Sequence, residues 1–154
     1  MKTYSFALWF FLCHSFVVQG STWSPHDRLL DAVCQIESSG GRFTSGDRGL
    51  SLGHFQIQKS AWSDVVEWRR KQNLAVHNYR ENVFNPRISR IYASNYLTLL
   101  YARLHQHYKR APTAAELYAA YNMGMTSFRK CNYDLNQVNP VTIAKCQQLV
   151  ALIE

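Results

Sequence analysis

Glu37 is the residue whose type and position point most directly to chemistry. It ends an amphipathic segment, on a largely apolar stripe, immediately before Ser38-Ser39-Gly40-Gly41. A carboxylate there is expected to feel desolvation and the negative end of a helix dipole, and both favour the protonated form. A carboxylic acid that keeps its proton near neutral pH is what a general acid needs to cleave a glycosidic bond. On spacing alone, a helix-terminal glutamate pointing into water is the commoner outcome. Other reactive types offer less. His105 and His107 are two apart on a helical stretch and point to different faces. Cys34, Cys131 and Cys146 lack zinc-ligand spacing, and there is no glycine-rich phosphate loop. Neither a metal nor a cofactor is expected.

The elements that must position Glu37 read as helices. Ser24-Pro25-His26-Asp27 opens the first, with Ser24 as cap and Asp27 completing a capping box. It runs to about Ser38 and stops at Gly40-Gly41. Ser60 to about Gln72 reads as a surface-facing helix. Asn85-Pro86 caps a long helix to about Tyr108, with Ile88, Ile91, Tyr92, Tyr96, Leu99, Leu100 and Leu104 on its inner face. Pro112 starts another, with Leu117, Ala120 and Tyr121 inward, closed near Gly124. Asn139-Pro140 caps the last. Between them, residues 42–60 are loop-like, with a short apolar alternation over Gly53–Ile57 that reads as a small strand or an irregular turn. The fold class is therefore mainly α (α+β), with a small irregular or β excursion near residues 42–58.

Three segments then occur in order: Glu37-Ser38-Ser39-Gly40, Gly53-His54-Phe55-Gln56-Ile57 and Ala119-Ala120-Tyr121-Asn122-Met123-Gly124. They resemble the Glu-Ser-x-Gly, Gly-Leu-Met-Gln-Ile and Ala-Tyr-Asn-x-Gly signatures of the lytic transglycosylase (SLT-type) and goose-type lysozyme superfamily. Asn85-Pro86 through Tyr96-Leu97 also resembles that family's approach to its long helix, so the resemblance covers roughly residues 27 to 130. It implies a lysozyme-like fold that cleaves the β-1,4 bond between N-acetylmuramic acid and N-acetylglucosamine in peptidoglycan. Glu37 matches the single catalytic acid, later the base, and Ser38 the serine that follows it. Gln56 matches a glutamine lining the groove beside the scissile bond. Tyr121 matches the tyrosine whose hydroxyl orients the catalytic carboxylate, and Asn122 its neighbour, which contacts substrate or braces the loop.

Two positions depart from the family pattern. His54 and Phe55 stand where Leu and Met are usual. Phe55 can do the same apolar work against a sugar ring. His54 is more polar and either contacts the glycan or is a bystander. Glycosidases that work with two carboxylates use the second as nucleophile or as base for water. A transglycosylase needs one: the substrate's acetamido group assists departure, and the muramic C6 hydroxyl closes a 1,6-anhydro end. No second carboxylate falls in a matched motif. Asp47, in Ser-Gly-Asp-Arg-Gly, is the candidate for positioning a hydrolytic water, although a solvent-exposed turn residue is the commoner reading. The leading expectation is a lytic transglycosylase. The alternatives are a hydrolytic lysozyme on the same bond and a non-catalytic glycan-binding module of the same fold.

Composition narrows the setting. The 154 residues carry 17 basic and 10 acidic side chains, a net charge of +7, and 47% apolar types, which fits one globular domain. Phe6–Val18 is an apolar run after Lys2, ending at Val18-Gln19-Gly20, and reads as a secretory signal peptide over residues 1–20. Leu12 before Cys13 does not suit lipidation. Residues 21–154 would then be a secreted or periplasmic domain with no stable membrane anchor. In an oxidising compartment the favoured bridge is Cys131–Cys146, other pairings being open. Closing a loop of about 15 residues is worth roughly 3 kcal/mol. Cys34 then reads as a small buried hydrophobe. The positive charge suits an anionic wall polymer. Nucleic acid is a poor partner, because the Lys and Arg are scattered. Peptidoglycan strands are the expected partner. Wall remodelling for a secretion or conjugation machine fits a small domain somewhat better than attack on a foreign wall.

Overall fold

The computed structural model describes residues 23–154. The expected leader over residues 1–20 lies outside the described residues, and so does the side chain of Asp47. Seven α-helices and one small sheet make up the described chain. The helices are α1 (Asp27–Ser38), α2 (Lys59–Lys71), α3 (Tyr79–Asn82), α4 (Pro86–Tyr108), α5 (Ala114–Met123), α6 (Met125–Lys130) and α7 (Pro140–Ile153). The strands are β1 (Ser45–Gly46), β2 (Ser51–Leu52) and β3 (Ile57–Gln58), antiparallel in the order β1-β2-β3. This is the mainly α, lysozyme-like α+β architecture that the sequence motifs imply.

Local chemistry sets the helix ends. α1 is capped by His26 rather than Ser24: the helix begins at Asp27, and the His26 Nδ1 accepts from the Leu29 N–H at 3.1 Å. Asn85 accepts from the Arg87 and Ile88 N–H groups, and Pro86 opens α4 without needing a donor. Thr113, one residue after Pro112, caps α5 through a capping box with Glu116. Asn139 caps α7 by accepting from the Thr142 N–H at 2.9 Å.

α5 lies at the centre. Residues 116–121 are all buried, and a helix buried all round belongs inside a bundle. α5 packs on α7 and α4, α1 packs on α7, and α2 packs on α4. From α4 the core receives Tyr92, Tyr96, Leu97, Leu100 and Leu104. Each fully buried large apolar side chain is worth about 1.5–3 kcal/mol. α2 is a surface helix, as expected, and its apolar face turns inward: Trp62 and Val65 are buried. Trp62 stacks on Tyr92 at 3.7 Å, and its indole N–H donates to the His77 carbonyl at 3.0 Å. That partner is what allows a polar indole edge to be buried.

The excursion over 42–58 is the sheet, but Gly53–Gln56 forms the turn between β2 and β3, not a strand. Gly53 has φ +76, and a Cβ there would lie 2.0 Å from the Val83 carbonyl oxygen. Only glycine meets both demands. α3 and α6 are additions to the sequence reading, each too short to show a period. The expected Cys131–Cys146 bridge is not formed among the described residues. Cys34, Cys131 and Cys146 are free thiols. Cys146 is buried between α7 and α5 with its Sγ on the Ala115 carbonyl at 3.4 Å, whereas Cys131 stands at the end of α6.

Candidate active site

Glu37 occupies the last turn of α1, and its side chain is only 7% exposed. The helix stops there because Ser39 takes a left-handed conformation (φ 52, ψ 46) and the Gly40 N–H returns to the Cys34 carbonyl. Ser38 fixes this corner. Its Oγ donates to the His54 carbonyl at 2.6 Å and accepts from the Gly41 N–H at 2.8 Å. The end of α1 is thereby pinned to the β2–β3 turn.

Two side chains of α5 hold the Glu37 carboxylate. The Tyr118 hydroxyl donates to Oε1 at 2.5 Å, and the Asn122 Nδ2 donates to the same oxygen at 3.3 Å. Tyr118 and Asn122 are four apart, so they share a helix face. Burial, then the charge of Glu37 and the hydrogen bond itself, push the Tyr118 phenol far above its ordinary value, so it stays a donor. The orientation of Asn122 is set from α7. Asn139 Nδ2 donates to the Thr142 hydroxyl at 3.0 Å, so that hydroxyl directs its own proton to Asn122 Oδ1, also at 3.0 Å. The amide's Nδ2 must then face Glu37. Oε2, the other carboxylate oxygen, has Lys145 Nζ at 3.6 Å.

A cleft of about 410 Å³ opens in front of this carboxylate. Tyr121, Asn122, Val141 and Lys145 form its helical wall; Gly46, Ser51 and Gln56 form its sheet wall. Gln56 holds a left-handed backbone conformation (φ 46), which costs a non-glycine residue about 1–2 kcal/mol. Its own amide compensates, with Nε2 donating to the carbonyls of Gly53 at 2.8 Å and Phe43 at 3.2 Å. Both amide protons are engaged, so Gln56 offers the cleft only its acceptor oxygen. Oε1 lies where a Cβ on Gly46 would come within 2.4 Å of it, so only glycine at 46 leaves this amide in place.

A buried carboxyl anchored through one oxygen at the head of a cleft can exchange a proton with a ligand there. The family model of the transglycosylase SLT domain matches residues 16–143. The chain belongs to that family. No curated protein and no solved structure gives a significant match.

The SLT domain brings four of the residues anticipated from sequence to the cleft: Glu37, Gln56, Tyr121 and Asn122. It keeps three away. Ser38 is buried, and its hydroxyl is fully engaged by backbone. Phe55 is 2% exposed and packs in the core, so it cannot face a sugar. His54 turns its ring onto Gly41, where a Cβ would come within 2.3 Å of it. The contact with Glu37 expected of the Tyr121 hydroxyl is made by Tyr118. The Tyr121 hydroxyl donates to the Phe55 carbonyl at 2.7 Å and ties α5 to the β2–β3 turn. Tyr118, Thr142 and Lys145 of this SLT domain were missed. Tyr118 could have been found, because it lies one turn before Asn122 on the same face. Thr142 and Lys145 stand on α7, which no signature segment includes, and nothing in sequence brings α7 to α1.

Proposed function

We propose that the protein is a peptidoglycan-cleaving lytic transglycosylase, with Glu37 as its acid and then its base and a 1,6-anhydro end as its product. The observation that carries this is the asymmetric anchoring of Glu37. Tyr118 and Asn122 occupy Oε1, which leaves Oε2, with Lys145 Nζ 3.6 Å away, as the oxygen that exchanges a proton with a ligand in the cleft. In the first step Oε2–H protonates the glycosidic oxygen, the C1–O bond breaks, and the substrate's acetamido oxygen closes on C1. In the second step the Glu37 carboxylate takes the proton of the muramic C6 hydroxyl. Its oxygen then attacks C1 and expels the acetamido oxygen. The proton returned to Glu37 restores the starting state, so no second carboxylate is consumed. Among the described side chains Glu37 is the only carboxylate lining the cleft; the side chain of Asp47, the candidate for a second one, lies outside them. Peptidoglycan lies outside the cytoplasmic membrane, so a leader over residues 1–20 would suit this substrate.

Digestion of purified peptidoglycan with mass analysis of the fragments tests the proposal. Anhydro-muropeptides are expected; reducing-end muropeptides would assign a hydrolase instead. Glu37→Gln should lower the rate by at least about 10²–10⁴-fold with an unchanged circular dichroism spectrum. Wild-type activity in that variant would refute the assignment.

A further inference from the structure

The described lining of the cleft contains two charged side chains, Glu37 and Lys145. The acid–base cycle uses only the first. Lys145 projects from α7 one turn after Val141, and both line the helical wall. Its Nζ stands 3.6 Å from Glu37 Oε2, outside the 2.7–3.2 Å range of a formed N–H···O bond. The Lys145 side chain is 33% exposed against 7% for Glu37. An ammonium has three donors, so at least two remain for a ligand in the cleft. Val141 beside it is 70% exposed, an apolar surface next to a cation.

We infer that Lys145 is a specificity residue that takes a carboxylate of the glycan's side arm. The inference rests on the proposed substrate. A homopolymer of N-acetylglucosamine is neutral and has nothing for an ammonium to bind. Each muramic residue carries a lactyl arm that ends in a carboxylate, or in a peptide that bears carboxylates. Such a group docked on Lys145 would select muramic-containing strands and fix which sugar sits over Glu37. The lactyl methyl matches the apolar surface of Val141.

Calorimetric titration in a Glu37→Gln background, where no strand is cut, separates this from catalysis. Three probes are compared at equal length: a neutral N-acetylglucosamine oligomer, a stem-free muramic-containing glycan, and a stem-bearing one. The Lys145-containing protein should bind at least one anionic probe about tenfold more tightly than the neutral one, as expected for a charge-assisted contact in a half-exposed site. Preference for the stem-free strand identifies the lactyl carboxylate; preference for the stem-bearing strand alone identifies the peptide. Added Lys145→Met should erase the preference, and Lys145→Arg should retain most of it. Raising salt should shrink it, because ionic strength screens an exposed pair. Equal affinity for all three probes, or a Lys145→Met loss that is the same on neutral and anionic strands, would overturn the inference. Neither result depends on cleavage, so an inactive wild type would refute the proposed chemistry without deciding the role of Lys145.

Discussion

Two tyrosines one helical turn apart have different work at the residue scale. Tyr118 donates to Glu37, whereas Tyr121 donates to a backbone carbonyl in the facing turn. Under the proposed chemistry, Tyr118→Phe should therefore lower kcat by about 10²–10³-fold, the cost of removing one preorganised donor. Its melting temperature should change little. Tyr121→Phe should do the reverse. It leaves the buried Phe55 carbonyl without its partner, worth about 1–3 kcal/mol, or about 2–4 °C of Tm per kcal/mol at this size. Steady-state kinetics and thermal melts on the two variants check this, and equal kinetic losses would show that both hydroxyls serve the chemistry. The sequence motif marks Tyr121 because the signature is contiguous. The neighbour on the same face falls outside the signature, and the choice between them depends on how α5 is rotated against α1.

At the scale of elements, the site depends on helix termini. Glu37 ends α1, Asn122 lies near the end of α5, and Thr142 sits in the first turn of α7. The start of α5 is held by the Thr113–Glu116 capping box and by Arg110, whose Nη2 is 2.6 Å from Glu116 Oε1. The hydrogen bond from Arg110, helped by the Thr113 N–H and opposed by burial, holds the Glu116 carboxyl below its ordinary value. A folded value below the unfolded one gives stability that is present above the ordinary value of 4.5 and is lost as pH falls through the folded value. Glu116→Gln keeps a group that can reach Thr113 and removes the charge. Its Tm should fall below wild type at pH 7, and the gap should close as pH drops below about 4.5. A gap unchanged from pH 7 to pH 3 would exclude the ion pair as its source. Capping signals of this kind were readable: Asn85-Pro86 and Asn139-Pro140 begin their helices where the sequence places them. The β2–β3 turn was not, because two-residue strands carry no period and their pairing is tertiary.

At the scale of the whole molecule, the described residues form a bundle around α5, and the setting of their cysteines follows from that packing. Cys146 faces α5 from α7, and burial pushes its thiol up to about 11. Alkylation of the purified native protein with peptide mapping should label Cys131 well before Cys146, and Cys146 should react only on unfolding. Recovery of a Cys131–Cys146 disulfide-linked peptide would contradict the packing. The spacing of those cysteines invited a bridge because a loop of about 15 residues closes cheaply in the entropy count. Which way each Sγ points is a property of the packed helices and leaves no trace in spacing.

By itself the sequence determined the family, the helical class, the candidate acid and the order of the elements. Those properties are local: a carboxylate at a helix end, a glycine where a turn allows nothing else, an asparagine before a proline. Only the tertiary structure decided which groups meet that acid. Tyr118, Asn122 and Lys145 reach Glu37 across separations of 81 residues or more. Contacts at that range are chosen by helix rotation and packing, which the core imposes and no short segment encodes.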